Sequence, residues 1–400
     1  MLDVLVVGGG PAGSYLASQL AARGHSVAVL EKKEKTGERV CCTGIVSHQC
    51  VSEFCVDDGV IIRWFNSASL FSPSGQRIRL QRQERQACVV DRAAFDEIMA
   101  RRAIAAGADF KLGHSVEGIL PDENSVVVSA THNGEKVSLR ARVAVVAAGF
   151  NPFLIKSLGL GQMRHFAIGA QAEVEAGGLQ EVEIRTGRDI APGSFAWLVP
   201  LAGGRARAGL LAKRQPQLYL RKFIDRLVAE ARVEERDYRI ESRPVPLKPV
   251  PRSYGQRLIL LGDSAGQVKP TTGGGIYYGL LCARIAADTL HQALEVDELS
   301  ASDLAVYEKR WKELLGEELS VGRLARLFYE RLSDRQIETA FGILSQGGLI
   351  EDMLDEEELT FDWHGRVILS LARRRVLARV SEVLQMPIRI ATEGIHKRGK

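Results

Sequence analysis

Cysteine is scarce in this 400-residue chain. The six present (Cys41, Cys42, Cys50, Cys55, Cys88 and Cys282) show neither the density of a disulfide scaffold nor paired CxxC zinc spacing, and no metal site is predicted. Four of them crowd into residues 41–55, which suits chemistry or chance better than a covalent staple. Long apolar runs are missing too. None approaches the ~18 residues that a membrane span needs. Charge of one sign is in short supply, since a net charge of +4 is too small to suggest a nucleic-acid binder. There is no internal repeat and no low-complexity linker. With the first strand predicted at the N-terminus, no signal peptide is expected. The expectation is a protein of a reducing compartment, most simply the cytoplasm, soluble or bound to a membrane surface. What the chain does have is 46% hydrophobic residues, enough for one large core or two, so one continuous enzyme with two lobes is predicted.

Two segments about 250 residues apart carry the chemistry. The chain opens Leu2-Asp3-Val4-Leu5-Val6-Val7 and runs straight into Gly8-Gly9-Gly10-Pro11-Ala12-Gly13. This pattern predicts a strand, a tight turn and a helix start that can receive a pyrophosphate. Gly8 permits the turn, Gly10 lets the backbone approach the phosphates, and Gly13 allows close helix–strand packing. Ala17 and Ala21 keep the helix face small, and Gly24 is placed to end it. Glu31 follows the apolar run Val27-Ala28-Val29-Leu30, 18 residues past Gly13, where a carboxylate can accept from ribose hydroxyls. The second segment reads Leu258-Ile259-Leu260-Leu261-Gly262-Asp263, then Pro270-Thr271-Thr272-Gly273-Gly274-Gly275-Ile276. It is again a strand ending on an acid, with a glycine-rich entry to a long helix. Together the two segments predict an FAD enzyme.

Periodicity predicts the remaining organisation. A polar, cysteine-rich connector spans 37–58, followed by short strands near 60–64, 68–72, 77–80 and 87–90. Asp91 is a candidate N-cap for a helix over 92–106, with apolar positions 95, 98, 99 and 103 on one stripe. Strands follow near 108–120, 124–130 and 137–147. An antiparallel-sheet lobe is expected over 165–247, with strands around 166–175, 182–185, 195–200 and 206–211 and a helix near 217–231. The predicted fold class is α/β: a Rossmann-like FAD-binding domain (1–164 and 248–295) interleaved with that substrate lobe, then a helical C-terminal region (296–400) with a basic tail.

The N-terminal fingerprint, Asp91-Arg92 opening a helix, and Gly262-Asp263 resemble the p-hydroxybenzoate-hydroxylase-like superfamily of flavoproteins. Within it, Cys41-Cys42-Thr43-Gly44-Ile45 and Phe195-Ala196-Trp197-Leu198-Val199-Pro200 resemble the geranylgeranyl reductase family, whose members use reduced FAD to saturate double bonds of isoprenoid chains. The resemblance covers about residues 1–290. It implies Ala12 and Gly13 at the pyrophosphate, Glu31 on the ribose and Lys32 beside the adenosine. Cys41, Cys42 and Gly44 would pass the flavin ring, and Val116 the adenine side. Arg92 could supply a charge-assisted fork to the diphosphate. Asp263 would accept from the ribityl hydroxyls, with Gly275 and Ile276 presenting backbone at the isoalloxazine. Two departures stand out. Ala148-Gly149 replaces an Asp-Gly strand end, and Trp197 and Pro200 keep a Pro-x-Tyr-x-Trp-x-Phe-Pro pattern whose first aromatic becomes Phe195.

Saturating an isolated alkene takes hydride from flavin N5 to one carbon and a proton to the other. A thiol, unperturbed near ~8.5 and raised by apolar surroundings, stays protonated at neutral pH. Cys41 is the first candidate acid and Cys42 the second; the competing reading is a thiol that only packs on the flavin edge. Phe195 and Trp197, two apart on a strand, share a face and could line a greasy channel, with Pro200 a further channel residue, or form ordinary core. A C20 chain carries about 16 kcal/mol of hydrophobic energy at ~0.8 kcal/mol per methylene, so docking on a bilayer is expected for a prenyl-lipid or prenylquinone substrate. Residues 351–362 hold seven acids and no bases, and 363–400 hold nine Lys/Arg against two acids. Leu369, Ala372, Val376, Val380 and Val383 recur there at helical spacing, as on a basic helix lying on an anionic membrane or, the more common case, one packed on the body with a solvated charged face.

No second glycine-rich fingerprint serves a nicotinamide cofactor, so the electron donor is left between NAD(P)H and a ferredoxin-like protein. The alternative function is a flavin monooxygenase of an aromatic or quinone ring, disfavoured by the cysteine motif and the missing Asp-Gly acid. A halogenase would want Trp-x-Trp where Phe195-Ala196-Trp197 stands, and a quinone oxidoreductase a four-cysteine cluster downstream, where only Cys282 lies. A non-catalytic prenyl-lipid carrier would need no redox-competent flavin.

Overall fold

The computed structural model describes residues 1–234, 237–345, 350 and 360–373. Most of the basic stretch expected to form an amphipathic helix lies outside them. The described part of that stretch is a helix over His364–Arg373.

The opening apolar strand is buried on both faces, which explains its continuous hydrophobic run. Its side chains alternate between two layers: Val4 and Val6 join a core beneath helices, while Leu5 and Val7 join a second core on the other face. The same alternation recurs in Val143 and Val145 against Ala144 and Val146. Four parallel pairings build the sheet, running from Asp109–Lys111 through Val27–Leu30, Leu2–Val7 and Glu135–Val146 to Leu258–Leu260. The helices Pro11–Ala21, Arg92–Ala105 and Ile276–Glu295 cover the first face. The strands Ser115–Pro121 and Val126–His132, continuing antiparallel from the start of Glu135–Val146, flank the second.

The second lobe is a seven-stranded sheet in the order Glu241–Pro246, Phe166–Glu175, Arg205–Ala212, Ala196–Pro200, Val182–Arg185, Ser67–Phe71, Arg77–Gln81. The last two strands come from the N-terminal third, so this sheet extends past the expected 165–247. Ser67–Phe71 joins it in parallel to Val182–Arg185, a long-range pairing that local periodicity cannot signal. The helix Pro216–Ala229 packs Leu220, Phe223, Ile224 and Leu227 on one face of the sheet. The connector over 37–58 is partly structured, with Ile45–Ser47 in a small three-stranded sheet and a short helix His48–Glu53. Capping boxes at Ser300/Asp303 and Ser333/Gln336 start the helices Ala301–Tyr329 and Asp334–Leu344. The second of these buries Ile337 and Phe341 against Ile78 of the lobe sheet.

Candidate active site

Folding brings the two distant glycine segments into contact. A Cβ on Gly262 would lie 3.7 Å from the Ala12 Cβ, and one on Gly279 would lie 3.5 Å from it. The first turn is as tight as its glycines suggest. Gly8 has φ +108° and a Cβ there would meet the Ala147 carbonyl oxygen at 2.4 Å; at Gly13 it would meet the Gly8 oxygen at 2.1 Å. Gly10 differs, because a Cβ on it meets nothing within 4 Å. It faces open space at the start of the helix Pro11–Ala21, whose N-terminus has no side-chain cap and no acid in its first turn. The helix Ile276–Glu295 begins the same way at Gly275. Two uncapped helix ends with free N–H groups converge here, an arrangement suited to anionic groups.

Glu31 is part-buried and accepts from Gly9 N–H (2.8 Å) and Lys33 N–H (3.1 Å), which fixes its carboxylate at the glycine turn. Asp263 sits at the other segment, its Oδ1 2.9 Å from where a Gly275 Cβ would stand, so a larger residue there would displace the carboxylate. Lys32 is exposed, and Val116 packs against the second core on the hairpin side. Beside Val116 the His114 and His132 rings stack at 4.1 Å, and His114 N–H donates to the Glu31 carbonyl.

Arg92 is buried at its helix start, with Asp91 capping Ala93 and Ala94. Its Nη2 pairs with Asp96 at 2.6 Å, and its guanidinium also reaches Cys42. Burial opposes the Arg92 charge, but Asp96 and Cys42 together outweigh it and hold the guanidinium above its ordinary range. Its Nε has no partner, a buried donor left for an anion. Close by, Gly44 has φ +80° and a Cβ there would meet Val90 O at 2.7 Å and the Arg92 side chain at 3.2 Å. Arg207 donates to the carbonyls of Cys42 (3.2 Å) and Thr43 (2.7 Å) and pairs with Glu173, pinning the cysteine loop to the lobe sheet. A cleft of about 710 Å³ opens here, lined by Cys42, Arg92, Arg207 and Glu241 among others.

Cys41 lies where the two lobes face each other. Burial, then Glu241 and Cys42, push its thiol up to about 11, against smaller opposing effects of Arg243 and Arg207. Arg243 also approaches Asp263 (3.7 Å) and covers Gly149, whose Cβ would lie 2.7 Å from its Nη2. A cation from the lobe therefore occupies the ground beside the Ala148-Gly149 strand end. Neither Arg207 nor Arg243 carries a local sequence signal; each is one arginine on an exposed-looking strand.

The aromatic pair reaches the site indirectly. Phe195 and Trp197 have ring centroids 6.0 Å apart, and the indole lies across Gly209, where a Cβ would come within 2.5 Å. Trp197 packs on the cluster containing Leu211 and Val245. Those two side chains in turn lie 3.2–3.4 Å from a Cβ position on Gly273. A continuous apolar wall thus runs from Trp197 to the glycine-rich loop, with Pro200 buried at the far end of the strand.

Comparison with known proteins agrees with this geometry. The chain is 30% identical to the digeranylgeranylglycerophospholipid reductase of Methanocaldococcus jannaschii, over 84% of this chain and 88% of the relative. It is 32% identical to the digeranylgeranylglycerophospholipid reductase 1 of Methanopyrus kandleri, over 91% and 99%. The chain belongs to the geranylgeranyl reductase family of FAD-dependent flavoproteins. A geranylgeranyl bacteriochlorophyll reductase-like protein of Thermoplasma acidophilum superposes with a TM-score of 0.84 at 25% identity, over 96% of this chain and 98% of that one. A family model described as lycopene cyclase protein matches residues 3–337. The residues present fit FAD: an open glycine turn, two uncapped helix ends, a carboxylate at each glycine segment, and a buried arginine with an unpaired Nε. No described helix is long and apolar enough to cross a membrane.

Proposed function

We propose that this reductase saturates C=C bonds in geranylgeranyl-type chains of a membrane lipid, with Cys41 as the proton donor. The observation that carries the reading is a shielded, protonated thiol near Arg207 and Arg243 of the second lobe, Arg243 also approaching Asp263 of the glycine-rich segment. Bound, reduced FAD supplies the hydride. Gly8, Gly10, Ala12 and Gly13 would hold its diphosphate together with Arg92, Glu31 the ribose with Lys32 and Val116 at the adenosine, and Asp263 the ribityl chain. Gly44, Gly275 and Ile276 would offer backbone to the ring.

Cys41 holds its proton at Sγ because burial disfavours the thiolate, so it can donate to the carbon that becomes negative as the neighbouring carbon is reduced. Arg207 keeps the cysteine loop in place through the carbonyls of Cys42 and Thr43. Trp197, with Phe195 and Pro200 on the same stretch, excludes water and lines the path of the chain. Cys42, in contact with Arg92, is the second candidate donor. NAD(P)H or a ferredoxin-like protein serves as electron donor, and the protein docks peripherally on the bilayer that holds its substrate.

The test is anaerobic. The flavoprotein is reduced with dithionite, a geranylgeranyl lipid is added, and flavin reoxidation is followed alongside product mass. Reoxidation with a gain of two hydrogens per bond supports the reductase. A product of unchanged mass would point to cyclisation, and reoxidation only by oxygen, with hydroxylation of an aromatic ring, to a monooxygenase.

A further inference from the structure

Beneath the glycine-rich loop lies a buried polar cluster that the proposed chemistry does not use. Lys269 is 5% exposed, and its backbone closes the loop at both ends: its N–H donates to Gly274 O (3.1 Å), and its carbonyl accepts from Gly273 N–H (2.8 Å). Its side chain runs under the loop it closes. A Cβ on Gly274 would stand 2.9 Å from the Lys269 Cε, so the ammonium lies directly against this glycine. The Nζ pairs with Asp362 Oδ1 at 2.6 Å, lies 4.7 Å from the Phe361 ring centroid, and faces Tyr278 at 5.9 Å.

Asp362 comes from a segment more than 90 residues downstream, and that segment grips the loop at several further points. Tyr278 OH donates to Asp362 O (2.8 Å), and Thr271 Oγ1 bonds His364 Nδ1 (2.6 Å). Gly365 N–H donates to Glu318 on the helix Ala301–Tyr329, and Arg326 of that helix donates to Pro270 O. Burial pushes the Glu318 carboxyl up and the His364 imidazole down to about 4. Lys269 and Asp362 form one oriented ion pair, cation under the loop and anion behind it, while a second buried cation, Arg326, is paired with Glu330. Among the described residues Asp362 Oδ2 has no partner, so Lys269 is the main compensation for that buried carboxylate.

We propose that Lys269 and Asp362 are a positioning pair for the flavin loop: the C-terminal segment holds residues 270–275 in their receiving shape through this pair, and the pair's positive end favours reduced over oxidised FAD. The inference rests on the FAD reading above. A fixed dipole pointing its cation at the loop adds to the positive end of the helix Ile276–Glu295, and both favour the negative charge that reduction builds on the ring edge.

The experiment measures the two-electron potential of bound FAD by equilibration with a reference dye, in the wild type, Lys269→Met and Asp362→Asn. Lys269→Met should lower the potential by about 30 mV, which is a tenfold loss of preference for reduced flavin in a two-electron couple. Asp362→Asn removes the anion and keeps the shape, so its potential should rise. It also covers the case in which Lys269→Met does not accumulate. A Lys269→Met potential equal to the wild type, or an Asp362→Asn potential that does not rise, overturns the proposal. A wild-type protein that binds no FAD would instead overturn the cofactor reading itself.

Discussion

Replacing Arg92 separates its structural contribution from its role toward the cofactor. Arg92→Met leaves Asp96 buried without its cation, and breaking a buried pair in this way costs about 3–5 kcal/mol of stability. It also removes the donor whose Nε is free for an anion, and losing one charge-assisted bond of ~1.5–3 kcal/mol weakens FAD roughly 10- to 150-fold. The two effects are told apart by Arg92→Met/Asp96→Leu, in which the whole pair becomes apolar at similar volume. That double variant should recover most of the apoprotein's resistance to denaturant, because a buried pair exchanged for hydrophobic contacts is near neutral. Its FAD affinity, from quenching of flavin fluorescence, should stay as weak as in the single variant. A double variant that binds FAD like the wild type would refute the argument and reduce Arg92 to a packing residue of its helix.

Cys41→Ser should retain FAD and lose about 10²–10⁴-fold in single-turnover reduction of the prenyl chain; an unchanged rate would remove Cys41 from the chemistry. Because burial raises the Cys41 thiol to about 11, wild-type turnover should stay flat through pH 9 and fall only as pH approaches 11, and a decline centred near 8.5 would contradict the placement. His364 titrates in the other direction. Its imidazole is held down to about 4 in the folded state, so the unfolded chain takes up the proton first as pH falls below 6.5, and stability should decrease between pH 6.5 and 4. His364→Gln should flatten that part of the melting-temperature profile. Gly209→Ala drives a methyl into the Trp197 ring, at a cost of about 1–3 kcal/mol, and should impair prenyl turnover more than FAD binding; equal loss of both would argue that Trp197 is plain core.

The strands and helices were legible because each has a strong local pattern. Phe166–Glu175 and Val182–Arg185 lie where alternation places them, and Arg92–Ala105 starts on its predicted Asp91 cap. Gly8 and Gly13 were legible for a different reason: backbone geometry that only glycine satisfies leaves its mark in sequence. Arg207, Arg243 and Lys269 were not legible, since an arginine or lysine reads the same whether it faces water or a buried carbonyl.

Local covalent geometry and periodicity therefore determine the elements and the cofactor turn from the chain alone, and the family resemblance is carried by the matched motifs. Only the tertiary structure decided that Ser67–Phe71 belongs to the second lobe, that Arg207 holds the cysteine loop, and that Asp362 meets Lys269 beneath the flavin loop. The physical reason is common to all three. Burial and charge pairing depend on groups far apart in sequence, and their energies exist only once the surfaces that exclude water have closed around them.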